Sequence, residues 1–248
     1  MRRQRPLSAG VALERWQAGL LLLVGPLSAH AIARIATESA LSWCLVLEAT
    51  LLVLAVLAPL AARIPVERAL GLSRPGPVAF AAAVLGTLCL GPLGRSLSLL
   101  VPGGGNGIDP LDGLATTQPF WVMWTTCAAA PAIAEELFFR GAVQRAFGRG
   151  LGAVLLSATA FALFHGDPAR VLTVFPGALY IAWAAQRTSS TFVAIAAHLA
   201  NNTWALASAK LASSGYAVGL DVNPVLLAGP TVLLAALTVP MVAPPRAA

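Results

Sequence analysis

Charge is scarce in this sequence. Of its 248 residues only 10% are Asp, Glu, Lys or Arg, against about 25% in an ordinary globular domain. Lysine is nearly missing, since the 16 basic residues are 15 Arg and one Lys. So few charges cannot cover a soluble surface, and disorder is excluded because disordered chains are polar and charge-rich. Cysteine is sparse too. Cys44, Cys89 and Cys127 each sit inside an apolar run with no CxxC or metal spacing, so they read as small buried residues.

Common catalytic signatures are missing as well. There is no HExxH, GxSxG or Walker motif. The run from Pro102 to Gly107 is Gly-rich, but no Lys-Ser or Lys-Thr follows it, so it reads as a loop rather than a phosphate cradle. The four aspartates, Asp109, Asp112, Asp167 and Asp221, all fall in expected loops. That excludes the paired-aspartate arrangement of GxGD-type intramembrane proteases. No rhomboid-type Ser-His pair stands out.

What the sequence has is apolar length. Hydrophobic residues make up 58% and mean hydropathy is +0.78. The apolar runs are long and unbroken, which argues against the short alternating segments of a β-barrel. About eight stretches approach the ~20 residues a membrane helix needs: Trp16–Ile35, Ala40–Ala62, Val78–Leu100, Phe120–Phe139, Leu151–His165, Val171–Gln186, Thr191–Ala209 and Val225–Val242. The fifth and sixth are short. The predicted fold is an all-α polytopic membrane protein, with about eight transmembrane helices in one bundle around a polar intramembrane site. Residues 1–15 form an N-terminal tail, 16–242 one transmembrane domain with a motif core at about 119–204, and 243–248 a C-terminal tail. The first apolar run follows three arginines, as in a signal peptide, but no soluble domain follows, so it reads as a retained helix.

The net charge of +6 and pI near 10.2 do not indicate nucleic acid. The arginines are scattered and form no stripe with interleaved aromatics. They fit instead the excess of Lys and Arg on the cytoplasmic side of membrane proteins. Arg2, Arg3, Arg5, Arg15, Arg63, Arg68, Arg74, Arg140, Arg145, Arg149, Arg187 and Arg246 fall on one side of the eight-span arrangement. Arg34, Arg170 and Lys210 fall on the other, and Arg95 lies within the third span. The split predicts both termini in the cytoplasm and the bilayer as the chain's permanent partner.

Ionisable groups inside lipid are costly and usually pair or work. The candidates are His30, Glu48, Arg95, Glu135, Glu136, Arg140, His165 and His198. Glu136 and Arg140 are spaced i,i+4 and share a helix face, while Glu135 points about 100° away. Arg140 can therefore hold one carboxylate while the other stays free. The bland alternative is a solvated charge cluster at the end of the fourth helix. His165 follows Phe161 by four residues. With a turn near Gly148–Gly152, Glu135 and His165 each lie ~15 residues, or ~22 Å, from that turn, and an antiparallel hairpin brings them to one depth. His198 and Asn202 are again i,i+4. They suit an oxyanion hole or plain interhelical hydrogen bonding. Glu48 and Arg95 could form a buried pair, and His30 fits no motif.

Glu135-Glu136-xxx-Arg140, Phe161-xxx-His165 and His198-xxx-Asn202, in this order, resemble the CPBP family. It groups type II CAAX prenyl proteases with bacterial immunity and bacteriocin-processing homologues. The context Glu135-Glu-Leu-Phe-Phe-Arg-Gly141 looks like the family's signature helix, and His198-Leu-Ala-Asn-Asn202 like its last motif. The resemblance implies an intramembrane endopeptidase in which Glu135 is the general base and His165 helps hold the attacking water. By the same resemblance His198 and Asn202 stabilise the oxyanion, and Glu136 and Arg140 organise the site. It implies no required cofactor. A zinc site built from Glu135, His165 and His198 is the minority alternative. Substrates are expected to be membrane-associated peptides or proteins. The Ala-, Leu- and Arg-rich composition suggests a GC-rich bacterial genome, hence a bacterial inner membrane. Two other classes stay open: an inactive scaffold or immunity-type protein of the same fold, and a transporter using a Glu/His relay.

Overall fold

The computed structural model describes residues 12–102, 110–216 and 224–242. Among these the chain is helical throughout, with no strand. The elements are α1 (Arg15–Ala36), α2 (Ala40–Ala61), α3 (Val66–Ala69), α4 (Pro77–Cys89), α5 (Gly91–Ser98), α6 (Pro110–Thr117), α7 (Phe120–Met123), α8 (Ala130–Glu136), α9 (Leu151–Phe164), α10 (Pro168–Thr188), α11 (Thr191–Ser213) and α12 (Pro224–Val242). Helix α7 runs through a π-helical segment, Trp124–Ala129, into α8, and α8 into a second one, Leu137–Gln144.

Local chemistry sets these boundaries. Ser39 caps α2 by accepting from the Ser42 amide at 3.2 Å, and Asp167 caps α10 by accepting from the Arg170 amide at 2.8 Å. Pro77 and Pro168 occupy the first turns of α4 and α10, where a missing N–H costs nothing. Gly148 and Gly150, at φ 89° and 137°, make the reversal before α9 that a side-chain-bearing residue would resist.

All eight stretches read as spans are helical, with differences of detail. The third is broken at Leu90 into α4 and α5. The fourth does not end near Phe139 but continues to Gln144. The sixth is longer than read, at 21 residues. Asp112 lies within α6 rather than in a loop. Among the described residues, three helical stretches are long and apolar enough to cross a membrane: Arg15–Ala36, Ala40–Ala61 and Pro77–Ser98. Helix α9 has only 14 residues, about 21 Å at 1.5 Å per residue, against a hydrocarbon core of ~30 Å.

The packing is that of a membrane bundle. Outward faces carry large apolar side chains, such as Leu20, Leu23 and Leu27 on α1 and Val53, Leu57 and Leu60 on α2. In water this much exposed apolar surface would drive aggregation; in lipid it costs nothing. Inward faces are small. Helix α1 buries Ala18, Gly25, Ala29 and Ala33, one face at helical spacing, which lets backbones approach. A Cβ on Gly25 would lie 2.7 Å from Phe138 Cζ, and one on Gly94 would collide with the Thr173 carbonyl of α10.

The helix from Phe120 to Gln144 sits at the centre. Its α8 section packs on α2 and α11, and its second π segment touches α1, α2, α9, α10 and α11. Arginine-bearing connections gather at one end of the bundle. Arg145 donates to the Ala69 and Arg68 carbonyls at 3.1 and 3.2 Å, the Thr191 amide donates to Gly71 at 3.0 Å, and Arg149 bonds Ser189. Lys210 lies elsewhere, donating to the Ala115 and Gln118 carbonyls at 2.7 and 3.1 Å. Arg140 leaves the set of loop charges, because it is buried within the central helix. Arg2, Arg3, Arg5 and Arg246 lie outside the described residues.

Candidate active site

Glu135 and Glu136 end α8, and Arg140 follows in the second π segment. The solvated-cluster alternative is excluded by burial: Glu136 is 0% and Arg140 1% exposed. A buried carboxylate costs several kcal/mol unless paired, and Glu136 is paired twice through one oxygen. Arg140 Nη1 donates to Glu136 Oε1 at 3.0 Å and His198 Nδ1 donates to the same atom at 2.8 Å. Arg140 also donates through Nη2 to the Ala178 carbonyl of α10 at 3.2 Å. One turn on, Gln144 donates to the Ala182 carbonyl at 2.8 Å.

The π segments widen the helix and shift its hydrogen-bond register. Side chains from neighbouring helices meet carbonyls there. Cys44 of α2 donates to the Thr126 carbonyl at 3.2 Å, and Ser157 of α9 donates to the Phe139 carbonyl at 3.1 Å. These bonds fix the central helix against both neighbours.

Phe161 joins the remaining groups. The Arg140 guanidinium carbon lies 4.2 Å from its ring centroid, within cation–π range. The His198 and His165 rings approach it edge-on at 5.5 and 5.0 Å. His198 is oriented by Glu136, which leaves its Nε2 3.9 Å from Glu135 Oε2, too far for a direct hydrogen bond. His165 is half-buried at the C-cap of α9, and its Nδ1 donates to the Phe161 carbonyl at 3.0 Å. It borders the cluster through Phe161 and makes no ion-pair contact with Glu135 among the described residues. Asn202, one turn beyond His198, is half-buried and makes no hydrogen bond among the described residues.

The structure therefore brings Glu135, Glu136, Arg140 and His198 into direct proximity, with His165 at the edge and Asn202 on the His198 helix. Among the described residues no three His, Cys, Asp or Glu side chains converge as metal ligands, so Glu135, His165 and His198 do not form the zinc arrangement. A small cavity lined by Arg140, Gln144, Arg145, Arg149 and Gln186 opens at the arginine-rich end, on the Arg140 side of the cluster.

Residues 117–204 match the family described as Type II CAAX prenyl endopeptidase Rce1-like. The motif region belongs to the CAAX-protease-like family. The match spans just over a third of the chain and contains Glu135, Glu136, Arg140, Phe161, His165, His198 and Asn202. No curated protein and no solved structure matches the chain.

The three residues left without a motif now have positions. His30 packs its ring between Trp43 and Phe164 at 5.5 and 4.9 Å and donates from Nδ1 to the Pro26 carbonyl at 2.9 Å. Arg95 is exposed on α5, which packs on α10 and α12. The Glu48–Arg95 pair is not formed. Glu48 is instead buried on α2, which packs on α8. Sequence reading missed that placement, although Glu48 is the one charged residue in α2.

Proposed function

We propose that this protein is a glutamate-dependent intramembrane endopeptidase of eight membrane passes, with its arginine-rich end in the cytoplasm. The observation that carries the reading is His198. Glu136 holds one ring nitrogen, and the other faces Glu135 across 3.9 Å. The arrangement follows the logic of catalytic triads, in which a carboxylate orients an imidazole toward the reacting group.

In the proposed reaction Glu135 accepts a proton from a water as the water oxygen attacks the scissile carbonyl carbon. His165, at the edge of the cluster, helps hold that water. The carbonyl oxygen gains the negative charge and is stabilised by donors in a water-poor site. Asn202 offers a free amide for this. His198 Nε2 adds a second donor when the ring carries both protons, because Nδ1 already gives its proton to Glu136. Glu135 then returns the proton to the leaving amine as the C–N bond breaks. Arg140 and Glu136 keep the cluster in register. Each step uses protein side chains and one water.

The substrate class is a membrane-associated peptide or protein. Membrane peptides compared by mass spectrometry in wild-type and Glu135→Ala cells would identify it: peptides cut only in the wild type are expected. Cleavage of those peptides by purified Glu135→Ala protein would overturn the mechanism. Full biological activity of a Glu135/His165 double mutant would favour the inactive-scaffold alternative.

A further inference from the structure

The cavity at the arginine-rich end is lined by three arginines, Arg140, Arg145 and Arg149, and by no acid. Local structure puts them there. Gly148, at φ 89°, turns the chain so that Arg149 comes back to the wall that Arg145 already lines. Gln186, Ser189 and Thr191, from the junction of α10 and α11, add further wall. Gln186 is fixed by exchanging two hydrogen bonds with Gly150, donating to its carbonyl at 3.1 Å and accepting from its amide at 3.0 Å.

The arginines are all held in place, but not all are neutralised. Arg140 is paired with Glu136 at 3.0 Å. Arg145 donates through Nε and Nη2 to the Ala69 and Arg68 carbonyls, and Arg149 donates to the Ser189 hydroxyl. Carbonyls and hydroxyls orient a guanidinium without balancing its charge. Among the described residues neither Arg145 nor Arg149 makes an ion pair. A guanidinium carries several N–H donors, so both keep donors unused, Arg145 Nη1 among them. Two such cations on one cavity repel, and an anion between them reverses the sign of the interaction. The arginine fork matches the paired oxygens of a phosphate.

The cavity is about 60 Å³, room for a few water-sized groups and so for one phosphate. Its surroundings suit a lipid. Leu151 and Leu155, one turn apart at the start of α9 and just beyond Arg149, are exposed, and so is Phe192 beside Thr191. An acyl chain can lie on these apolar side chains while its phosphate reaches the guanidinium groups. Basic pockets between helices at the membrane surface hold anionic head groups in this way.

We propose that this cavity binds a phosphate oxyanion between Arg145 and Arg149, and that the head group of an anionic phospholipid supplies it. A choline head group would bring a quaternary ammonium to two guanidinium groups that have no carboxylate, whereas a glycerol head group brings only hydroxyls. The proposal needs the cavity and its charges alone and does not depend on the endopeptidase reading.

The test uses full-length protein in an uncharged detergent, freed of lipid, at about 0.15 M salt, where distant surface charges are screened. Native mass spectrometry counts bound phosphatidylglycerol, with phosphatidylcholine of the same acyl chains as the comparison. Phosphatidylglycerol should bind at least about tenfold more tightly, and Arg149→Gln should weaken it by about tenfold, the worth of one charge-assisted hydrogen bond. Arg15 lies at the same end of the bundle but outside the cavity, so Arg15→Gln should change binding by less than about twofold. Equal binding of the two lipids overturns the proposal. So does equal weakening by Arg149→Gln and Arg15→Gln, because the attraction is then that of the whole surface. Inorganic phosphate that displaces the lipid at equal concentration overturns the lipid as the source and supports the oxyanion site. If a thermal melt shows Arg149→Gln unfolded, the comparison of the two lipids on the wild type decides.

Discussion

His198 Nδ1 and Arg140 Nη1 converge on a single oxygen of Glu136, at 2.8 and 3.0 Å. One carboxylate thus fixes both the imidazole that faces Glu135 and the guanidinium that anchors α10. Removing it leaves a buried cation without a partner. Glu136→Ala should destabilise the protein by about 3–5 kcal/mol, the usual cost of breaking a buried pair. A thermal melt in detergent reads the loss, and an unchanged melt would contradict the geometry.

Arg140→Lys tests the same node from the other side. Lysine keeps the charge but cannot reach Glu136 and the Ala178 carbonyl together, nor spread a flat guanidinium over Phe161. Turnover should fall at least tenfold even where the variant folds. Near-wild-type activity would mean that charge alone suffices.

His198→Ala should leave the fold largely intact and remove the group facing Glu135. The expected loss in kcat is about 10²–10⁴-fold, the range for a positioned acid–base residue. Single-turnover kinetics on peptides identified in cells would measure it. A change confined to KM would place His198 in substrate binding instead.

Two glycines set interhelical distance. Gly94→Ala would drive a methyl into the Thr173 backbone carbonyl, which cannot move without shifting α10, so a loss of about 1–3 kcal/mol is expected. Gly25→Ala meets a Phe138 ring instead, and a smaller loss should follow. Comparing the two melting temperatures checks the order.

Topology can be tested by labelling single cysteines from either side of a sealed membrane after the three native ones are replaced. Cysteines at Arg68 and Arg187 should label from the same side and one at Ser213 from the opposite side. Arg68 and Arg187 labelling from opposite sides would overturn the eight-pass arrangement.

The sequence carried the helical class, the positions of the eight helical stretches and the polar residues of the motif region. Long apolar runs, capping residues and i,i+4 pairs are local signals, and they survive into the structure as α1, α2, the Glu136–Arg140 pair and the Asp167 cap of α10. The π segments were not legible, because their register depends on side chains such as Cys44 and Ser157 reaching in from other helices. The end of the fourth helix was misplaced for the same reason: Arg140 and Gln144 look like loop-side polar residues until the Ala178 and Ala182 carbonyls of α10 are in place to receive them.

By itself the sequence determined that this chain belongs in a membrane and which few polar residues could do chemistry there, because scarce charge inside apolar runs is costly wherever the helices go. Only the tertiary structure decided which of those residues meet. Glu136 joins His198, Arg140 stacks on Phe161, and Glu48 is buried where α2 packs on α8 rather than paired with Arg95, because partners across a bundle are chosen by the close approach of helices distant in sequence.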